Sequence, residues 1–448
     1  MMYEAGMNGV RINTAYGDIL QYKDIIARVR SVGEIPVLLD LKGPELRVRV
    51  LKTLDLRADE EFTVGEGEDV GFNHPVYDQL RIGDRVLFDD AKIETEVFEV
   101  ERGSLRLRVN VGGRLEDGKG VNCPGRDFDV QTLSRRDMEN VEFAREQGIE
   151  FLGLSFTRNV EDIRSLKKAV GDSEIGVVAK IENRRGVESF NEILSEVDGI
   201  MVARGDLGIE VPQETVPLLQ KRMIAACNQA GKTVITATEM LESMIASPRP
   251  TRAEVSDVAN AILDGTDVVM LSGETAIGKY PVDAVAAMTR IAVATEDAVE
   301  CRVKEEKYQN ISSTISQSVN EISRSMPLDK VITITRTGYT ARAISRFKLR
   351  QPVIAVTSSS MVKRRLELVY GVYPVELKFR ENEDKILAVA NSLLAEGIVS
   401  EDELILFTAA FRTSQRHSSN LIEIHTIREL ARALHREQKQ IPEEQNQD

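Results

Sequence analysis

The sequence predicts an α/β protein: a (β/α)8-type parallel barrel, a small β-barrel lid domain inserted in it, and a C-terminal α/β domain. Three observations predict this fold class. Short apolar runs alternate with amphipathic stretches, which is typical of a parallel sheet or barrel. One long segment shows instead the period-two alternation of antiparallel strands. The length of 448 residues allows roughly two to four domains.

Seven short apolar runs bounded by turn residues predict the buried parallel strands of the barrel. They occupy residues 10–14, 36–42, 151–157, 175–183, 199–208, 233–240 and 267–275. The amphipathic segments 159–169 and 217–230 are long enough for crossover helices. A closed barrel of this type needs eight strands, so one strand is missing from the count. The predicted barrel domain comprises residues 1–42 and 126–305.

The segment 43–125 interrupts this pattern and predicts the inserted lid. It contains Gly-rich turns and alternating runs such as SLRLRVNV, without the pattern of a long helix. Its two connections, at 42–45 and 122–125, each carry Gly and Pro, so they can act as hinges. Beyond the barrel, residues 306–437 alternate strands (VITITRTG, PVIAVTS, DELILFTAAF, LIEIHTI) with helices, and 438–448 form a polar tail.

Charge and composition exclude several classes of function. Acidic residues (72) outnumber Lys and Arg (58), and the net charge of −14 argues against nucleic acid or an anionic membrane surface as a partner. The three cysteines are far apart and the four histidines form no HxxxH pair, so neither a disulfide framework nor a His-based zinc site is expected. With no secretory signal or membrane-spanning run, we expect a soluble cytoplasmic protein.

Polar residues collect where five of the predicted strands end, and parallel strands of a barrel bring their carboxyl ends to one face. The pairs are Arg11 and Asn13, Asp40 and Lys42, Lys180 and Glu182, Arg204 and Asp206, and Thr236 and Thr238. Residues two apart in a strand project to the same side. A single pair would be explained by a strand-end salt bridge, but five pairs at equivalent places predict an active site.

The residue types indicate phosphoryl or enolate chemistry. Glu182 and Asp206 offer the hard oxygen ligands that Mg2+ prefers, although exposed acids at loop starts are common. Lys180 could neutralise charge on a phosphoryl group or an enolate oxygen, or serve only as a partner for Glu182. The amides of Gly205 and Asp206 could hold a carboxylate, with a plain tight turn as the alternative.

Several long blocks stand out along the chain: AGMNGVRIN, LLDLKGPELR, KGVNCPG, AKIENRRGV, DGIMVARGDLGIE, TATEMLESM and DVVMLSGETA. They resemble blocks of pyruvate kinases, in that family's order and spacing, and the resemblance runs from residue 5 to about residue 427. The resemblance implies a barrel with an inserted lid and a C-terminal α/β domain, as predicted above. It also implies transfer of a phosphoryl group from phosphoenolpyruvate to ADP, giving pyruvate and ATP in glycolysis, and a homotetramer.

The resemblance further implies a role for each matching residue. Arg11 would hold the phosphoryl group, Lys180 would stabilise the transition state, and Gly205, Asp206 and Thr238 would bind the substrate carboxylate. The metal ligands would be Glu182 and Asp206 for Mg2+ or Mn2+, and Asn13 and Asp40 for K+. Arg47 and Lys119 would contact the nucleotide phosphates, with surface salt bridges as the alternative. The loop 335–340, with Thr335, Thr337, Gly338 and Thr340, would bind a phosphorylated effector, or form a simple N-cap turn.

The sequence departs from the family pattern at two places. It opens inside the helix that follows the family's first barrel strand, which predicts either a start codon placed too far downstream or a truncated relative. Ala15 and Leu41 stand where the family usually has Ser and Thr, and Ala15 cannot supply a side-chain oxygen to K+. Dependence on K+ therefore stays open.

Two alternatives to a kinase remain on the sequence alone. One is a non-catalytic or regulatory relative with an incomplete barrel. The other is a metal-dependent lyase acting on pyruvate or its enolate, since such enzymes also pair Glu and Asp on a divalent ion. The lid insertion with Arg47 and Lys119 argues against the lyase, because a lyase needs no nucleotide site.

Overall fold

The computed structural model describes residues 1–126, 128–301, 303–304, 310–379, 384–410 and 419–432. The predicted tail at 438–448 lies outside these residues. No helix in these ranges is both long and apolar enough to cross a bilayer.

The chain begins with a strand, a helix and a second strand: β1 (Val10–Asn13), α1 (Ile19–Val32) and β2 (Val37–Leu41). The side chain of Asp18 caps α1 by accepting the amide of Gln21, which satisfies one of the free N–H groups of the first turn. β2 pairs in parallel with β1 and is buried along its whole length. A strand covered on both faces explains why four of the five residues of β2 are apolar.

The inserted segment forms antiparallel β-structure, as predicted. Its strands are β3 (Val48–Val50), β4 (Leu54–Leu56), β5 (Glu61–Gly65), β6 (Val70–Phe72), β7 (Arg85–Phe88), β8 (Ile93–Glu101), β9 (Ser104–Val111), β10 (Gly113–Leu115) and β11 (Val121–Asn122). Five of them form one sheet in the order β11-β7-β8-β9-β5. Alternating residues of β9, such as Leu105 and Leu107, are fully buried, so the insert has an apolar core of its own.

The chain then returns to the parallel sheet. The elements are α2 (Arg135–Gln147), β12 (Phe151–Leu154), α3 (Val160–Val170), β13 (Gly176–Ile181), α4 (Arg184–Glu188), α5 (Phe190–Glu196), β14 (Gly199–Ala203), α6 (Arg204–Glu210), α7 (Val216–Ala230), β15 (Thr233–Ala237), α8 (Arg252–Leu263), β16 (Val268–Val269), α9 (Gly273–Ala276) and α10 (Pro281–Glu296). Capping boxes at Ser134 and Thr251 begin α2 and α8.

All seven predicted barrel strands are confirmed, in one parallel sheet of order β1-β2-β12-β13-β14-β15-β16. The predicted extents of two strands are wrong. The run 267–275 is a strand only at Val268–Val269, and Gly273–Ala276 is a helix. The run 199–208 is a strand only as far as Ala203, and Arg204–Glu210 is a helix. Arg204 is buried and points its guanidinium at backbone carbonyls after β15, a contact that the turn into α6 makes possible. Arg204 and Asp206 therefore do not share the face of a strand.

The C-terminal part is a five-stranded sheet of order β19-β18-β17-β20-β21 with helices around it. Its elements are α11 (Ile311–Ser325), β17 (Lys330–Ile334), α12 (Tyr339–Ser345), β18 (Val353–Thr357), α13 (Ser360–Leu366), β19 (Val372–Glu376), α14 (Lys385–Ala395), β20 (Leu404–Ala409) and β21 (Leu421–Thr426). The sheet is mostly parallel, as predicted, and only β21 runs antiparallel to its neighbour. Sequence reasoning missed β19, an edge strand that contains Pro374.

This sheet domain is fastened by ion pairs to the amino ends of the barrel strands, opposite the carboxyl ends. Consecutive basic residues at 363–365, in α13, each contact one acidic residue: Lys363 contacts Glu34, Arg364 contacts Glu150 at 2.6 Å, and Arg365 contacts Asp198 at 2.9 Å. Glu150 and Asp198 directly precede β12 and β14. The carboxyl-end face thus stays clear of α13.

Acid is expected to weaken this contact through Asp198. Burial alone would raise the pKa of Asp198, but Arg365 and the amide of Val177 outweigh it, and the pKa is lowered. A carboxyl group whose pKa is lower in the folded than in the unfolded protein stabilises the fold at pH values above its unfolded pKa of about 3.9. This stabilisation is lost as pH falls through the folded pKa. Asp198→Asn should therefore lower the denaturant midpoint at pH 7, and the difference from wild type should shrink as pH falls below the unfolded pKa of about 3.9. A difference that stays constant as pH falls through this range would contradict this origin.

Candidate active site

Lys180 is the centre of a buried polar cluster at the carboxyl ends of the strands. Its ammonium Nζ lies 2.8 Å from Glu182 Oε1, 3.2 Å from Asp40 Oδ2 and 2.7 Å from Ser155 Oγ. Lys180, Asp40 and Glu182 are 6%, 1% and 1% exposed. An ammonium group has three N–H donors, and each has a partner here.

Mutual attraction keeps the Lys180 cluster charged in spite of burial. Burial by itself lowers the pKa of Lys180, but the carboxylates of Asp40 and Glu182 outweigh it, so the pKa is raised. Burial raises the pKa of Asp40, but Lys180 and Arg11 outweigh that effect, so its pKa is lowered. The structure thus holds a permanent positive charge at Lys180 within a nearly dry pocket, where electrostatic interactions are strong.

Arg11 and Asn13 end β1 beside Asp40, which lies opposite Asn13 in the register of β2. Arg11 donates from Nε at 2.7 Å and from Nη2 at 2.5 Å to the same oxygen of Asp40, Oδ2. Asn13 Oδ1 accepts the amide of Ala15 at 3.0 Å. The structure therefore brings Arg11, Asn13 and Asp40 together, while the role of the last two toward K+ stays a prediction.

Asp206 lies in the first turn of α6, and the electrostatic surroundings of its carboxyl group favour a bound cation. Burial and the negative charge of Glu182 raise the pKa of Asp206 to about 7. Glu182 Oε2 accepts the amide of Phe156 at 2.6 Å, which fixes that carboxylate in place. A buried carboxylate at Glu182 and a half-buried one at Asp206, which repel each other, fit a divalent cation. Among the described residues no group of three or more His, Cys, Asp or Glu side chains could hold a metal.

Gly205 and Thr238 meet beside Asp206. The amide of Gly205 donates to Thr238 Oγ1 at 3.0 Å. Thr238 has a backbone φ of 60°, which is strained for a β-branched residue. Arg204 holds this turn, since its guanidinium donates to the carbonyl oxygens of Thr238 at 2.5 Å and Glu239 at 3.0 Å. The predicted carboxylate-binding residues are therefore adjacent, and Arg204 is a supporting residue whose role sequence reasoning did not identify.

One member of the predicted strand-end pairs points elsewhere. Thr236 is fully buried, and its hydroxyl donates to Thr266 Oγ1 at 3.0 Å, so Thr236 supports the surrounding structure. Lys42 stands at the first lid connection, and its backbone amide donates to Asp137 Oδ1 at 3.1 Å.

Arg47 and Lys119 are neighbours in the lid. The backbone amide of Val48, the residue after Arg47, donates to the carbonyl of Lys119 at 2.9 Å. Arg47 Nε lies 2.7 Å from Glu45 Oε2, and Lys119 Nζ lies 3.0 Å from Asp89 Oδ1. Each cation is therefore held by an acidic partner, as the salt-bridge alternative requires. Between lid and barrel lies a cleft of about 360 Å³, lined by both lid residues such as Glu45 and barrel residues such as Asp206.

The loop after β17 uses its hydroxyls internally. Thr335 Oγ1 accepts the amide of Gly338 at 3.0 Å, and Thr340 Oγ1 is 2.8 Å from Ser419 Oγ. The backbone φ of 77° at Gly338 is one that glycine adopts without strain. These contacts match the N-cap turn alternative, although Gly338 has no side chain to cap the helix, and effector binding by Thr335, Thr337, Gly338 and Thr340 stays a prediction.

Comparison with known proteins gives the chain a family. Residues 1–285 match the profile described as pyruvate kinase, barrel domain, and residues 313–425 match the pyruvate kinase, alpha/beta domain. The chain belongs to the pyruvate kinase family. Both the family resemblance and the predicted fold class are thereby confirmed.

Relatives named pyruvate kinase match almost the whole chain. The protein of Geobacillus stearothermophilus is 40% identical over 454 residues, covering 96% of this chain and 77% of the relative. That of Sporosarcina psychrophila is 40% identical, covering 96% and 78%. The Clostridium perfringens protein is 36% identical, covering 94% of both chains. These matches confirm the predicted enzyme class, a phosphotransferase of the pyruvate kinase type, over the lyase alternative.

Proposed function

We propose that the cluster around Lys180 transfers the phosphoryl group of phosphoenolpyruvate to ADP, giving pyruvate and ATP in glycolysis. The observation that carries this proposal is the buried ammonium of Lys180, held by Asp40 and Glu182 beside Asp206. Both substrates are anions, so the site must offset their repulsion before the phosphoryl group can move. A fixed positive charge in a low-dielectric pocket does this without reorganisation.

Glu182 and Asp206 would hold Mg2+ or Mn2+. A divalent ion bound there supplies positive charge to the phosphoryl and enolate oxygens. The carboxylate of Glu182 is oriented for this by the amide of Phe156. Asn13 and Asp40 would hold K+; since Oδ2 of Asp40 already accepts Arg11 and Lys180, K+ would have to share this carboxylate.

Five residues would bind and orient phosphoenolpyruvate, and Lys180 is one of them. Arg11, 20% exposed at its side chain, would turn its guanidinium toward the phosphoryl group. Gly205 and Thr238, with the amide of Asp206, would hold the substrate carboxylate. Bound in this way, the substrate would place its transferring group near Lys180, and the amide of Gly205 would exchange its bond with Thr238 for one to substrate.

Arg47 and Lys119 would contact the ADP phosphates from the lid. To do so Arg47 must give up part of its contact with Glu45. Burial raises the pKa of Glu45 more than the contact with Arg47 lowers it. Arg47→Ala should raise KM for ADP by about tenfold and leave KM for phosphoenolpyruvate near wild type. Steady-state kinetics with each substrate varied will check this. The control is Arg49→Ala, at a lid arginine that donates to the carbonyl of Phe72. An unchanged KM for ADP in the Arg47→Ala variant would show that Arg47 serves only the salt bridge with Glu45.

The activity is tested by pyruvate formation from phosphoenolpyruvate with and without ADP and Mg2+. Dependence on both supports the kinase. Pyruvate released without ADP would indicate a phosphatase-like reaction, and no pyruvate under any condition would support the non-catalytic relative.

The remaining proposals rest on the sequence patterns and on the family resemblance. They are the domain limits 1–42 with 126–305, 43–125, 306–437 and 438–448, a cytoplasmic location, a homotetramer, and a phosphorylated effector at the loop 335–340. Gel filtration with light scattering tests the tetramer.

A further inference from the structure

Ser155 is a buried residue of the candidate site that neither the strand-end pairs nor the family resemblance singled out. It directly follows β12 and is 6% exposed. Its hydroxyl accepts from Lys180 Nζ at 2.7 Å and lies 3.2 Å from Asp40 Oδ1. A serine hydroxyl has one donor and two acceptor positions, so Ser155 can accept from the ammonium and donate to the carboxylate at once.

The three partners of Lys180 differ in what else they do. Glu182 accepts the amide of Phe156 and is a proposed metal ligand, and Asp40 also pairs with Arg11. Ser155 is neutral, so it fixes the ammonium without neutralising its charge. Ser155 can therefore hold Lys180 in place when substrate and cation interact with the carboxylates of Asp40 and Glu182.

The strands place Ser155 between the residues that it joins. In the sheet, β12 lies between β2, which carries Asp40, and β13, which carries Lys180. Gly153 of β12 lies opposite Asp40, and a Cβ there would be 3.2 Å from Asp40 Oδ1. A side chain at Gly153 would thus crowd the carboxylate that Ser155 contacts.

The first lid connection fixes the backbone of Ser155 from the other side. Gly43 has a φ of 65°, and a Cβ on it would come within 2.4 Å of the carbonyl oxygen of Ser155. This contact is close enough to require glycine. Ser155 is thereby held between the hinge of the lid and the reacting centre.

We infer that Ser155 is a positioning residue for phosphoryl transfer, which holds the ammonium of Lys180 in its working orientation. The inference rests on the proposed function. The effect of Ser155 is on the chemical step, because it acts through the ammonium of Lys180. A small displacement of a preorganised charge is costly in rate.

Ser155→Ala should lower kcat by about tenfold to a hundredfold, which is the usual weight of a charge-assisted hydrogen bond. KM for ADP and direct binding of Mn2+, followed by electron paramagnetic resonance, should stay within about twofold of wild type. The matched control is Thr157→Val. Thr157 belongs to the same loop and is fully buried. Its hydroxyl donates to the carbonyl of Leu154 at 2.9 Å and not to Lys180. The kcat of the Thr157→Val variant should equal that of the wild-type protein.

A double-mutant cycle separates positioning from a general structural role. In a Lys180→Met background, Ser155→Ala should cause no further loss of kcat, because its effect passes through the missing ammonium. A single variant with kcat within twofold of wild type, an equal loss in both backgrounds, or a parallel loss of Mn2+ binding would each overturn the role of Ser155. An inactive wild-type protein would overturn the proposed function itself, which distinguishes the two failures.

Discussion

Lys180→Met is expected to lower kcat by about two to three powers of ten, the usual cost of removing one preorganised charge from an active site. Methionine has a similar length and no charge, so the variant removes the ammonium and its contacts with Asp40, Glu182 and Ser155. Arg11 remains to pair with Asp40, so we expect the barrel to stay folded. Stopped-flow and steady-state kinetics measure the loss, and circular dichroism checks the fold.

A second lysine of the barrel provides the control for this experiment. Lys232 is partly buried at the amino-end face, and its Nζ donates to the carbonyl of Val197 at 2.6 Å. Lys232→Met removes a comparable cation far from the Lys180 cluster and should retain wild-type kcat. A Lys180→Met variant as active as Lys232→Met would refute the role assigned to Lys180.

Glu182→Gln is expected to raise the Mg2+ concentration for half-maximal activity at least tenfold, and to lower kcat by about a hundredfold at saturating Mg2+. Glutamine keeps an oxygen but loses the negative charge that attracts the cation. It also weakens the contact with Lys180, so both charges of the site are affected. Titration of activity with Mg2+, together with Mn2+ binding, separates the loss of affinity from the loss of rate.

The corresponding control uses an exposed glutamate a short distance along the chain. Glu188 is 61% exposed and pairs with Arg184 at 2.8 Å on the surface of α4. Glu188→Gln should leave the Mg2+ response unchanged. Equal responses in the Glu182 and Glu188 variants would show that the cation binds elsewhere.

The strands and the insertion could be predicted because their signals are local. Val37–Leu41 and Thr233–Ala237 are mostly apolar runs in fully buried strands, and the alternation at Ser104–Val111 matches its alternating burial. The carboxyl ends of parallel strands share one face, so the sequence also indicated that Asp40, Lys180 and Glu182 would meet. The turn at Arg204 was missed because its cause is a contact with carbonyls more than thirty residues away.

Ser155 and the α13 contacts show what a single sequence leaves out. A lone serine after a strand has no pattern of its own, and its importance follows from lying between β2 and β13 in the sheet. The ion pair of Arg364 with Glu150 joins residues 214 positions apart, and nothing in either local segment specifies the partner. Such pairings arise from tertiary packing, which periodicity does not report.

Phosphoryl transfer can be followed directly with phosphoenolpyruvate labelled with 32P in its phosphoryl group. Purified protein supplied with ADP, Mg2+ and K+ should move the label into the γ-phosphate of ATP, with one pyruvate formed per ATP, and chelation of Mg2+ should stop the transfer. Label that appears only in inorganic phosphate, or stays in phosphoenolpyruvate, would contradict a kinase built on Lys180, Glu182 and Asp206.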